Sequence, residues 1–268
     1  MIRAESASLV AAIRERTPAR LLLERRGGSY RTRDQVVLRE DHAAAVDAVW
    51  KPFDPEADWN PDFRRRWKFL ETTSAAETRE VYIRRPDLGR SLAAAAATRV
   101  AAECRPGADL QIVVGDGLSA AAVAVQVPLL LPLLAAQAGA RGWSLGRPIL
   151  VRHCRVGILN HLGAILSPRV AVLLLGERPG LRCVESLSAY MAFRPAPHHT
   201  DAHRNLVSNI HAAGTPPDQA ADRIMRLVEA IIRHGTSGPI VKEEMHRVGS
   251  AGSMPLGIAT DGSMKRRR

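Results

Sequence analysis

A chain of 268 residues holds one large domain plus an appended region; 46% of it is hydrophobic but only 4% aromatic, so the core must be Ala, Leu, Val and Ile. The net charge of +11 is dispersed apart from Arg64–Arg66 and Lys265–Arg268, and without a basic stripe interleaved with aromatics it does not indicate a nucleic-acid binder. Cys104, Cys154 and Cys183 have no paired spacing, which argues against a disulfide scaffold and for a reduced, cytoplasmic protein.

The opening MIRAESASLVAAIRERT carries a charge every few residues, unlike a secretory signal. Residues 1–84 read as a helical or irregular, polar region. TPARLLLERRGGSYRTRDQVVLREDHAAAVDAVW predicts a short apolar segment, a turn at Gly27–Gly28 and a helix from about Thr32. FDPEADWNPDFRRRW reads as a loop punctuated by Pro and Asp, either wrapped on a partner or serving as a connector.

From residue 85 the pattern changes. RPDLGRSLAAAAATRVAAEC predicts a turn and an Ala-rich helix, and LQIVV (110–114) a buried strand closed by GDGLS. Residues 120–140 carry no charge and are long enough to cross a bilayer. Pro128, Pro132, Gln126, Gln137 and the many alanines favour a buried helix, kinked or broken at the prolines. PILVRHCRVG (148–157) is β-rich, ILNHLGAIL a short helix, and RVAVLLL (169–175) a second apolar strand. SLSAYMAF (186–193) is a third candidate strand, and TPPDQAADRIMRLVEAIIRHG an amphipathic helix with Pro at its first turn and Gly235 at its end. Apolar strands alternating with helices predict an open, doubly wound α/β domain over 85–244, a mostly parallel sheet with helices on both faces. Residues 245–268 show no periodicity and read as a disordered tail.

In such sheets ligands bind beyond the carboxyl ends of the strands, which selects three loops. Gly115-Asp116-Gly117-Leu118-Ser119 allows close backbone approach, yet Asp116 or Ser119 could equally cap the next helix. It is not a G-x-G-x-x-G, so a nucleotide-binding oxidoreductase domain is the weaker alternative. In Gly176-Glu177-Arg178-Pro179-Gly180 the proline forces a tight turn; Glu177 either accepts hydrogen bonds from a ligand or pairs with Arg178. HHTDAHRNLVSNIH (198–211) holds four His and one Asp, but no helical H-x-x-x-H and no Cys pair for a metal. Its Ser208-Asn209 pair suits a polar, amide-rich ligand better. No nucleophile, base or P-loop assembles, which points to a binding subunit without catalytic residues of its own.

These segments, in this order, resemble the small subunit of ethanolamine ammonia-lyase. TPARLLLERRGGSYRTRDQVVLREDHAAAVDAV, RPDLGRSL, LQIVVGDGLSA, VRHCRVGILNHLGAIL, VAVLLLGERPGL…ESLSAYMAF and RNLVSNIHAAGTPPDQAA carry the likeness, over roughly 14–241. The resemblance implies a Rossmann-like domain paired with a larger barrel subunit that holds ethanolamine and most catalytic residues. Residues 1–84 would pack on that subunit. It also implies adenosylcobalamin between the two subunits, and conversion of ethanolamine to acetaldehyde and ammonia by a radical route that starts with cobalt–carbon homolysis. Some relatives work inside a bacterial microcompartment. The family's cobalamin contacts fall on Val156 in CRVG, Glu177 in GERPG and Leu206 in RNLVSN. Relatives commonly have Cys at the position of Leu206 and Gly at that of Cys154, so a thiol-specific role is lost at the first and a main-chain contact is kept. The resemblance assigns this chain no metal ligand and no catalytic residue.

Overall fold

The computed structural model describes residues 2–15, 21, 23, 25–180 and 183–243. The tail expected at 245–268 lies outside them. The chain opens with helix α1 (Ile2–Glu15), a two-residue hairpin β1 (Arg25–Arg26) and β2 (Ser29–Tyr30), and helix α2 (Thr32–Trp50). Gly27 turns the hairpin with φ +61°, and α2 starts at the expected Thr32.

The stretch read as a loop is helical. Short helices α3 (Pro55–Asp58) and α4 (Pro61–Trp67) each have proline at the first position, with Asp54 and Asn60 side chains accepting the Glu56 and Asp62 N–H groups. The Asp-Pro and Asn-Pro pairs are therefore caps and not breakers. Phe53 and Trp59 are both buried here. Trp59 lies 4.8, 5.3 and 4.9 Å from the rings of Phe53, Phe63 and Phe69, and its indole N–H donates to the Val123 carbonyl at 3.4 Å.

Then follow β3 (Leu70–Thr73), α5 (Arg79–Arg84), α6 (Ala94–Glu103), β4 (Leu110–Gly115), α7 (Ala120–Ala140), β5 (Ile149–Arg152), α8 (Ile158–Leu166), β6 (Val170–Gly176), β7 (Leu187–Phe193), β8 (Asn205–Ile210) and α9 (Pro217–His234). One six-stranded sheet runs in the order β3-β5-β4-β6-β7-β8. The first four strands are parallel, and β7 and β8 are antiparallel. The fold is α/β with a mixed, mostly parallel sheet. The expected mostly parallel sheet is found; β7 alone runs the other way, because residues 177–186 leave no room for the crossover that a parallel return needs. Strand β3 and the Phe53–Trp59 cluster come from the segment before residue 85, so that segment completes the sheet and its core.

The apolar runs follow from burial on both faces. Ile112, Val114, Val172 and Leu174 lie under α7 and α9, while Val113, Leu173 and Leu175 lie under α6 and α8. Helix α7 runs unbroken through Pro128 and Pro132, so the expected break does not occur. It is long and apolar enough to cross a membrane, but Val123, Val127, Leu130, Leu131 and Leu134 are fully buried in the protein core. That packing offsets the backbone hydrogen bonds the prolines cannot make.

Trp59→Ala should therefore lower the unfolding free energy by about 3–5 kcal/mol. Urea unfolding of the two proteins measures it; a loss below about 1 kcal/mol would mean that residues 53–69 are only peripheral to the core.

Candidate functional site

Strands β3, β5, β4 and β6 end together at Thr73, Arg152, Gly115 and Gly176. The antiparallel β7 begins at that edge, with Leu187 opposite Gly176, and β8 ends there, with Ile210 opposite Leu187. The loops carrying Val156 and Glu177, and the end of β8, thus share the edge at which α/β sheets bind ligands.

The GDGLS loop is not open to a ligand. Every residue from Gly115 to Ala120 is buried. Ser119 caps α7, accepting from the Ala122 N–H at 3.0 Å and donating to the Val184 carbonyl. Gly117 has φ +55° and packs so tightly on the end of β6 that an added Cβ would lie 2.0 Å from the Gly176 oxygen. Asp116 does not cap. One of its oxygens accepts the Cys154 N–H at 3.0 Å, and the other faces a guanidinium nitrogen of Arg79 at 3.4 Å. The same nitrogen donates to the Gly117 carbonyl at 2.7 Å. Tyr82 donates to the Cys154 carbonyl at 2.9 Å. Both polar backbone groups of Cys154 are thereby fixed, and with them the turn that carries Val156.

Val156 is half-buried against the core on the α6 and α8 side. Glu177 is also half-buried: its N–H donates to the Ser186 carbonyl at 3.1 Å, and its carboxylate accepts from the Tyr190 hydroxyl at 2.7 Å. The alternative pairing with Arg178 is not made; among the described residues no ion pair joins the two, and Arg178 is exposed. Leu206 is 48% exposed and pairs in register with Tyr190. Register partners share a face, so Leu206, Tyr190 and Glu177 come together through Tyr190. Val156 lies at the same edge, with no hydrogen bond or register pair linking it to them.

This face is covered unevenly. On the side facing α9, Val207 and Ile210 of β8 are fully buried. On the opposite side Leu206, Ser208 and Asn209 are exposed. Two consecutive exposed residues arise from a bulge: between the register pairs Leu187–Ile210 and Ala189–Val207, the single Ser188 of β7 faces both Ser208 and Asn209 of β8, and Asn209 takes φ +59°. His211 holds the Asn209 side chain at 2.7 Å. Beneath lies Ser188, opposite Leu175 on the Tyr190 face, with a buried hydroxyl that has no hydrogen-bond partner. Residues 198–211, read from sequence as a loop, contain strand β8, hidden because the bulge breaks strict alternation. The rings of His199 and His203 stack at 4.7 Å at its far end. No three His, Cys, Asp or Glu side chains among the described residues are placed to hold a metal ion.

Residues 7–242 match the family model described as ethanolamine ammonia-lyase light chain (EutC). The chain belongs to that family. The "Ethanolamine ammonia-lyase small subunit" of Azotobacter vinelandii is 41% identical over 248 residues, 91% of this chain and 92% of that protein. The Bradyrhizobium diazoefficiens protein of the same name is 41% identical over 252 residues, 92% and 94% of the two chains. The one from Clostridium acetobutylicum is 34% identical over 222 residues, 83% and 89%. For this light-chain family member, the matched span takes in Val156, Glu177 and Leu206. Sequence reasoning missed Tyr190, Tyr82 and Arg79. For Tyr190 a signal existed: in SLSAYMAF the polar Ser188 and Tyr190 alternate with Leu187, Ala189 and Met191.

Replacing Asp116 by Ala would leave Arg79 buried without its carboxylate and free the Cys154 N–H. Breaking a buried pair in this way costs about 3–5 kcal/mol. Denaturant unfolding should show a loss of that size, and a loss below 1 kcal/mol would mean the pin is dispensable.

Proposed function

We propose that this chain is the small subunit of an adenosylcobalamin-dependent ethanolamine ammonia-lyase, converting ethanolamine to acetaldehyde and ammonia with a large subunit that binds the substrate. The α/β sheet is read as Rossmann-like, with its switch point between β4 and β6, where the Gly117 and Glu177 loops meet. The observation that carries the cofactor reading is the bare face of β8, with Leu206, Ser208 and Asn209 exposed beside the half-buried Tyr190.

The residues present suit a corrin, a broad ring rimmed by amides. Such a ligand needs an apolar surface and a few fixed polar anchors. Leu206 and the Tyr190 ring offer the apolar surface. Glu177 keeps one carboxylate oxygen that no hydrogen bond occupies and can accept an amide N–H. Ser208 and Asn209, both exposed, add donors and acceptors. Val156 closes the edge on the other side of Glu177. When bound, the cofactor supplies the radical chemistry, and this chain supplies binding, orientation and exclusion of water. Three unpaired cysteines support a cytoplasmic location.

Co-expression with a large subunit tests the proposal. The complex should deaminate ethanolamine only when adenosylcobalamin is added; no complex, or no cofactor-dependent activity, would overturn it. Glu177→Ala should weaken cobalamin binding by the complex about tenfold, the worth of one hydrogen bond to a charged group, with the unfolding midpoint unchanged. An unchanged affinity would make Glu177 structural. Removal of residues 246–268 should leave activity intact.

A further inference from the structure

We propose that Tyr190 is a positioning residue: its hydroxyl holds the Glu177 carboxylate in the orientation that meets the cobalamin, fixing a loop side chain to the rigid centre of the sheet. The inference rests on the cobalamin reading of this face.

Four observations carry it. First, the Tyr190 hydroxyl lies 2.7 Å from a Glu177 carboxylate oxygen. A carboxylate only accepts, so the phenol donates. Burial, and the carboxylate it donates to, hold the phenol well above its ordinary titration range, so the donor persists at any working pH. Second, Tyr190 is fixed from both sides, paired with Leu173 on β6 and Leu206 on β8, and its ring packs on the core of the α6 and α8 side. Third, Glu177 has little else to orient it. Its backbone N–H is tied to Ser186, and its carboxylate makes no bond to the adjacent, exposed Arg178. Without the phenol, the side chain would be free to swing toward solvent or toward Arg178. Fourth, the bond consumes one carboxylate oxygen and leaves the other to accept from a ligand. The phenol reaches from the middle of β7 to the loop after β6, and the half-buried residue stands on the same face as the exposed Leu206. A positioned acceptor binds better than a mobile one because its rotamers are already restricted before the ligand arrives.

The test uses the complex with the co-expressed large subunit and reads the dissociation constant of cyanocobalamin from its absorbance change, independent of turnover. Tyr190→Phe keeps the ring and removes only the hydroxyl. It should raise the dissociation constant about threefold to tenfold, the cost of ordering one side chain that the phenol otherwise holds in place. The KM for ethanolamine and the unfolding midpoint should stay as in the unmodified complex. Glu177→Ala should weaken binding at least as much. The double variant should bind no worse than Glu177→Ala alone, because a residue that acts through Glu177 loses its effect once Glu177 is gone. An unchanged dissociation constant in Tyr190→Phe, while Glu177→Ala binds weakly, overturns the positioning role and leaves the cobalamin reading standing. So do effects that multiply in the double variant, since Tyr190 would then act independently of Glu177. If Glu177→Ala also binds as tightly as the unmodified complex, the cobalamin reading of this face falls with it.

Discussion

The buried carboxylate of Asp116 joins the parts of the chain that form the ligand edge. It accepts the Cys154 N–H from the turn after β5 and faces Arg79 from α5. Arg79 in turn donates to the Gly117 carbonyl and to the Val49 carbonyl at the end of α2. Tyr82 closes the network on the Cys154 carbonyl, with the Arg155 and Arg79 guanidinium groups over its ring at 4.4 and 5.1 Å. A buried ion pair is a poor source of net stability against an apolar alternative, but removing one partner is costly. Its effect here is geometric: two loops and the segment before residue 85 are held in one register, and the Val156 turn is presented at a fixed place.

The second constraint is asymmetry. Both faces of the parallel strands are covered, and so are both faces of β7, whose Ser188 and Ala192 are buried on the side away from α9; β8 is covered only on the α9 side. A bulge at Ser208-Asn209 turns polar groups onto the bare side, and the phenol of Tyr190 links that side to Glu177. An edge strand with exposed apolar and polar side chains is a liability in isolation. A partner subunit, which the small-subunit name of its relatives implies, would cover it.

The sequence made the central architecture legible wherever burial on both faces left a continuous apolar run, as in LQIVV and RVAVLLL, or a clean amphipathic period, as in α9. Glu177 was legible because it follows such a run. Its partner was not, since tyrosine within a strand reads as core filler and a long-range hydrogen bond leaves no local pattern. Residues 54–67 were misread because Asp-Pro and Asn-Pro mark helix starts as well as loops. The β8 strand was missed because the extra residue at Ser208-Asn209 shifts its alternation from Val207 to Ile210. The antiparallel direction of β7 could have been inferred from the short connection after Gly176. The persistence of α7 through two prolines depends on tertiary packing that no local rule contains.

The central claim is that the bare face of β8, beside Tyr190, seats the cofactor. A cryo-electron microscopy map of the complex with the large subunit and cyanocobalamin tests it most directly. The account predicts density for the cobalamin over Tyr190 and Leu206, with an amide nitrogen within hydrogen-bond distance of the Glu177 carboxylate. Protein packed directly on Leu206 and Ser208, with the cobalamin elsewhere, would contradict it.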